Sequence, residues 1–209
     1  RRGPEDFQEL HDEWRYAVNY ALMQDLSRET VTFRNTEAMK ALPMRRLGSF
    51  LLGDGLGGAG THWNGMTFRF SPYDFQLKTM TEQRYGRNKL GPDYQLQDYP
   101  LTYDEMEPYY TAFEEAVGVA GEPGHFDGKR SKPYPMPPLV KTPALSMFEQ
   151  AARKMGCHPY MIPAAIASGP FTTPDGIEHN PCMYCGFCER FACEYDAKAQ
   201  PSNTFIPAA

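Results

Sequence analysis

Nothing in this chain suits a membrane-crossing helix, a nucleic-acid grip or a repeat array. Nowhere in its 209 residues does an apolar run approach the about eighteen needed to cross a bilayer as a helix. Lys and Arg together number 21 against 26 Asp and Glu, a formal net charge of -5, so gripping nucleic acid is not the expected task. There are no internal repeats and no low-complexity tail. Residue 1 is Arg rather than Met, and the chain stops at Phe205-Ile206-Pro207-Ala208-Ala209. Both ends therefore read as cut, a fragment is expected, and the lack of a leader says nothing about compartment.

What is present is globular. A hydrophobic share of 41%, with 13% aromatic residues, is enough to build a core. The length suits one ordinary domain or two small ones. With Gly 18 and Pro 19, the architecture should be loop-rich with short elements.

Apolar spacing in Asp12 to Leu22, with Trp14, Ala17, Val18, Ala21 and Leu22 on one face, predicts an amphipathic helix. Thr30 to Arg34 alternates as a short strand does. Thr102 and Glu105 form a capping box before a helix over Tyr103 to Val117, with Gly118 as its stop. Pro108 predicts a kink or a late start there. Thr142 and Pro143 open another helix, running to about Met155, whose face of Leu145, Phe148, Ala152 and Met155 is expected to be core. Between the two lies a proline-rich loop, Pro133 to Pro138, read as surface. Pro159 to Asn180 reads as strand-length pieces broken by Gly and Pro.

Five cysteines are present, and four share one run: Cys182, Cys185, Cys188 and Cys193, in the spacing C-x2-C-x2-C-x4-C. Neighbours this close rarely meet disulfide geometry, and closely packed thiolates repel one another unless a metal neutralises them. Structural zinc usually takes two ligand pairs separated by a longer loop. A compact run at two-residue gaps is closer to iron–sulfur ligation, although the last gap is four and Glu194 rather than proline follows Cys193. The spacing favours a cluster and leaves zinc or plain reduced or partly bridged thiols open. Cys157 stands alone and is expected to be a small buried hydrophobe. His11, His125, His158 and His179 show no metal spacing with one another.

Glycines crowd Gly48 to Gly60, in the run Gly53-x-Gly55-x-Gly57-Gly58-Ala59-Gly60. Such density marks backbone brought close to a ligand or another chain segment. As a dinucleotide fingerprint it is weak, because only Ser49 to Leu52 precedes it and no clear acidic partner follows.

Three stretches together carry a resemblance. The first is Leu42-Pro43-Met44-Arg45-Arg46-Leu47-Gly48 running into Gly57-Gly58-Ala59-Gly60-Thr61-His62-Trp63-Asn64-Gly65. The second is Leu101-Thr102-Tyr103-Asp104-Glu105-Met106-Glu107-Pro108-Tyr109-Tyr110 with Gly118-Val119. The third is the cysteine run followed by Ala197-Lys198-Ala199 and Thr204-x-Ile206-Pro207. In these the chain resembles the glucose–methanol–choline family of FAD oxidoreductases, in its branch of membrane-bound bacterial sugar and polyol dehydrogenases.

The resemblance implies a partial α/β fold: a portion of a Rossmann-type FAD-binding domain plus part of an α+β substrate domain. Residues 1–75 would belong to the FAD-binding domain, with the second flavin motif at 48–66. Residues 76–165 would form a helical and loop part of the substrate or cap region, and 166–209 the cysteine-rich iron–sulfur segment. Gly57, Gly58, Ala59 and Gly60 would let backbone approach the flavin. His62 would face it, and in some members carries it covalently; Asn64 would reach its edge. Trp63 is expected to pack, and Arg45, Arg46 and Arg69 are candidates for phosphate, with solvated side chains the commoner alternative. Cys182, Cys185, Cys188 and Cys193 would hold a cluster of the 3Fe–4S type.

The implied function is hydride transfer from a sugar, polyol or sugar-acid C–OH to flavin, with electrons passing through the cluster to a cytochrome c subunit. A small subunit is the other implied partner, the membrane is reached only through partners, and the site is the periplasmic face of the inner membrane. The family's opening G-x-G-x-x-G and its catalytic histidine lie outside this sequence, so no catalytic residue is expected here and the segment alone should be inactive. The alternatives are a member without the cluster, or a truncated metal-binding or interaction module.

Overall fold

A computed structural model describes residues 32–43, 56–89, 91, 94–188 and 192–209. The helix expected over Asp12 to Leu22 and the residues 44–55 lie outside the described residues. In chain order the elements are β1 (Thr32–Phe33), β2 (Leu42–Pro43), α1 (Pro72–Phe75), α2 (Leu77–Tyr85), α3 (Tyr103–Val117), α4 (Pro143–Lys154), β3 (Phe171–Thr172), β4 (Glu178–His179) and α5 (Phe205–Ala208). Short 3-10 turns sit at Gly58–Thr61, Arg87–Lys89 and Pro201–Asn203. β1 pairs antiparallel with β2, and β3 with β4. No helix among the described residues is long and apolar enough to cross a membrane.

Contacts group the chain into two units, one of residues up to 64 together with Met183–Ala209, the other Gly65–Cys182. This grouping by contact cuts the chain at other points than the motif-based segments 1–75, 76–165 and 166–209.

The 65–182 unit is organised by α3 and the extended segments after it. Thr102 Oγ1 accepts from the Glu105 N–H at 3.3 Å, and Glu105 Oε2 accepts from the Thr102 N–H at 2.7 Å, so the predicted capping box forms. Gly118 stops the helix at φ 66, where a Cβ would lie 2.5 Å from the Phe171 ring. The start is not delayed by Pro108, which lies inside the helix and costs it one bond to the Asp104 carbonyl. Beyond α3, Ala120 exchanges N–H···O bonds with Ala164 (2.8 and 2.9 Å) while Met136 donates to the Val119 carbonyl. Val119, Ala120, Met136 and Ala164 to Ala167 are buried along this junction.

One face of α3 is polar and buried. Tyr103, Glu107, Thr111 and Glu114 recur at helical spacing and close around Arg69. All five guanidinium N–H donors are used: Nε and Nη2 on Glu114 (2.7 and 2.7 Å), Nη1 on Glu107 (3.0 Å) and Tyr103 (3.2 Å), Nη2 on Thr111 (3.0 Å). Arg130 also reaches Glu114, and its guanidinium lies 3.7 Å above the Tyr134 ring. The expectation that Arg69 meets phosphate or solvent is corrected here: no donor is left for a ligand.

Glu107 makes this unit sensitive to acid. Its carboxylate accepts from the Ser131 N–H at 2.9 Å, from Thr111 Oγ1, from Arg69 and from Ser131 Oγ. These bonds, the Ser131 amide first, outweigh desolvation and hold its pKa at about 2, against an ordinary 4.5. A depressed carboxylate contributes stability that is present above its unfolded pKa and lost as pH falls through 4.5 towards about 2. Thermal unfolding across that window should show a falling midpoint, and Glu107→Gln should flatten the fall. An unchanged slope in the variant would remove Glu107 from the acid limb.

α4 departs from expectation. Thr142 Oγ1 accepts from the Leu145 N–H at 3.2 Å and Pro143 opens the helix, as its sequence predicts. Yet Leu145 is 45% exposed, Phe148 68% and Met155 81%, so the face expected to be core is uncovered among the described residues. Periodicity tells which face of a helix is apolar and not what lies against it. Cys157, expected to be buried, is exposed just past the end of α4.

Candidate functional site

The described part of the first unit brings the glycine turn, the histidine and most of the cysteine run together with the chain's last residues. Gly57 (φ 94) and Gly58 (φ 61) are left-handed and lead into the turn Gly58–Thr61. His62 closes that turn by donating its N–H to the Ala59 carbonyl at 2.9 Å. The three glycines differ in what their missing side chains leave free. At Gly60 a Cβ would sit 2.4 Å from Pro201 Cδ, and at Gly57 it would touch Pro201 and Ser202 at 3.4 Å. At Gly58 nothing among the described residues lies within 4 Å. Gly60 is therefore required by the chain's own packing, while the described residues put nothing against Gly58. His62, Trp63 and Asn64 follow, all half-buried.

Trp63 packs rather than reacts: its Nε1 donates to the Ala199 carbonyl at 2.8 Å. Ala199 belongs to a buried run, Ala197 to Gln200. Gln200 is 2% exposed, and neither atom of its side-chain amide has a hydrogen-bond partner among the described residues.

Lys198 is a buried residue to which the sequence reading gave no role. It is fully buried, and its ammonium donates to the carbonyls of Trp63 (2.6 Å), Cys188 (2.9 Å) and Thr61 (3.4 Å). Burial pushes its pKa down to about 8, with the thiols of Cys188, Cys193 and Cys185 pulling the other way. The available signal was a lysine set between two alanines in Ala197-Lys198-Ala199.

No disulfide joins any of the four cysteines of the run. Cys185, Cys188 and Cys193 belong to the same unit as the glycine turn, whereas the Cys182 N–H donates to the Ala167 carbonyl at 2.8 Å, within the other unit. Tyr184 (φ 55) and Gly186 (φ 83) are left-handed and curl the loop tightly. The donor set fits an iron–sulfur cluster in its chemistry. Its arrangement is not that of a preformed cage: among the described residues no three His, Cys, Asp or Glu side chains are gathered closely enough to hold a metal ion.

Arg45, Arg46 and residues 48–55 of the glycine stretch lie outside the described residues. The structure also pairs two histidines that no spacing rule joins, His125 and His158, whose rings stack at 4.3 Å.

The chain matches no protein-family model. It is 37% identical to the gluconate 2-dehydrogenase flavoprotein of Pantoea cypripedii along 94% of its own length, and covers 34% of that protein. To the fructose dehydrogenase large subunit of Gluconobacter japonicus it is 31% identical over 62% of its length, covering 22% of that subunit. A third relative is the 6'''-hydroxyparomomycin C oxidase of Streptomyces lividus, at 29% identity over 55% of this chain and 19% of the oxidase. The chain thus spans about a third or less of the curated relatives it matches. It is related in sequence to a stretch of oxidoreductases, one named a flavoprotein and two named for the oxidation of a sugar or sugar acid.

Proposed function

We propose that the chain is part of an FAD-dependent dehydrogenase of the glucose–methanol–choline type, acting on a sugar, polyol or sugar-acid C–OH. The observation that carries this reading is the 37% identity to a gluconate 2-dehydrogenase flavoprotein along nearly the whole chain. On this reading the chain combines part of a Rossmann-type FAD-binding domain with part of an α+β substrate domain.

Gly57, Gly58, Ala59, Gly60, His62 and Asn64 form the flavin-facing side. Gly58 presents backbone without a side chain, and His62 supplies an imidazole that can carry the cofactor covalently. The chemistry that a bound flavin supplies is acceptance of the substrate's hydride. This chain's own part is to hold that face of the cofactor, through a turn that Pro201 and Lys198 brace from behind. Cys182, Cys185, Cys188 and Cys193 are the ligands proposed for an iron–sulfur cluster, which supplies one-electron transfer when bound. A cytochrome c subunit and a small subunit complete the assembly on the periplasmic face of the inner membrane.

Purified in its full natural length, the protein should carry flavin, iron and acid-labile sulfide. If His62 carries the flavin, the colour should stay in the pellet after acid precipitation and move to the supernatant in His62→Ala. Cys188→Ser should lose iron and sulfide while keeping flavin. The absence of a gathered metal-ligand group among the described residues favours a second reading, a flavin dehydrogenase without the cluster. Full flavin without iron in the wild-type protein would select that reading.

A further inference from the structure

We infer that Lys198 is a positioning residue that ties the histidine loop to the cysteine loop, so that a disturbance at one is felt at the other. Its three ammonium protons meet three backbone carbonyls. Two of these, Thr61 and Trp63, flank His62, and the third belongs to Cys188. A buried ammonium is unfavourable unless its donors are taken up, so the bonds hold only while both loops keep their places. Because the acceptors are main-chain atoms, the link fixes backbone position regardless of the side chains the loops carry. Two further bonds stiffen the same bracket: Trp63 Nε1 to the Ala199 carbonyl, and Asn203 Nδ2 to the Lys198 carbonyl at 3.1 Å. For the proposed enzyme, on whose reading this consequence rests, Lys198 sets the flavin-facing loop against the cysteine loop.

The test is hydrogen exchange read by mass spectrometry on the full-length protein, with flavin and iron content measured on the same samples. In Lys198→Met the amides of residues 58–64 and 184–188 should exchange about tenfold faster together, while those of 103–117 stay at the wild-type rate. Lys198→Arg, which keeps charge and donors, should restore most of the protection in both loops. Faster exchange in only one loop, or in neither, overturns the inference. If Lys198→Met fails to fold, Lys198→Arg alone provides the readout: exchange at 58–64 and 184–188 that changes together supports the link, and a change in only one loop or in neither overturns it. A colourless wild-type protein whose two loops still respond together would contradict the enzyme reading alone.

Discussion

Replacing Glu114 with glutamine is expected to cost the 65–182 unit about 3–5 kcal/mol, more than any other single substitution proposed for this chain. Glu114 is buried and accepts both forks of the Arg69 guanidinium at 2.7 Å, and it also takes a bond from Arg130. A glutamine offers one acceptor where the carboxylate has two, turns an NH2 group towards a cation, and leaves two guanidinium groups short of their counter-charge. The remaining Arg69 donors are already committed to Glu107, Tyr103 and Thr111, so the guanidinium cannot turn away without breaking those bonds. The thermal midpoint of this unit should fall by about 10 to 20 °C. A shift of only a degree or two would mean that the network relaxes around the loss and does not anchor α3.

The second large effect separates two glycines of one turn. Gly60→Ala places a Cβ 2.4 Å from Pro201 Cδ, and a proline ring cannot rotate away. Overpacking of this kind costs about 1–3 kcal/mol and displaces either the turn or the residues that brace it. Gly58→Ala meets no atom of the described residues, and its φ of 61 costs alanine about 1–2 kcal/mol. The two variants should therefore fail in different ways. Gly60→Ala should lower the stability of the unit and lose flavin as a consequence. Gly58→Ala should lose only about 1–2 kcal/mol to backbone strain, with the Pro201 packing intact, and release flavin well below its unfolding midpoint, since the new methyl group occupies the flavin-facing side. Flavin content and thermal unfolding measured on both would decide it. Full flavin retention in Gly58→Ala would show that the cofactor approaches from elsewhere.

Local chemistry made some of this legible in the sequence. The Thr102–Glu105 box, Gly118 and the Thr142–Pro143 start are signals contained within one turn of chain, and each forms as read. Long-range partnership was not legible. Arg69 reads as a ligand for phosphate or water because its partners lie on α3, and no spacing rule links position 69 to 107 and 114. Tyr103, Glu107, Thr111 and Glu114 recur at helical spacing on α3, but a polar stripe normally faces solvent, so their burial was not legible. The apolar stripe of α4 misled in the opposite sense, since its Phe148 and Met155 stand exposed among the described residues.

The glycine stretch shows the same limit. Its density signalled close approach, yet only the structure shows that Gly60 makes room for Pro201, while among the described residues nothing lies within 4 Å of Gly58. Likewise the cysteine spacing picked out a ligand run, but not the lysine beneath it. Lysine is rarely buried, so a pattern reading assigns it to the surface by default.

The most direct test is the absorption spectrum of the full-length natural protein under anaerobic conditions, before and after addition of sugars and sugar acids such as gluconate. Flavin bands that bleach with at least one of these compounds are the predicted result. A protein purified without flavin, and unable to take up added FAD, would contradict the account.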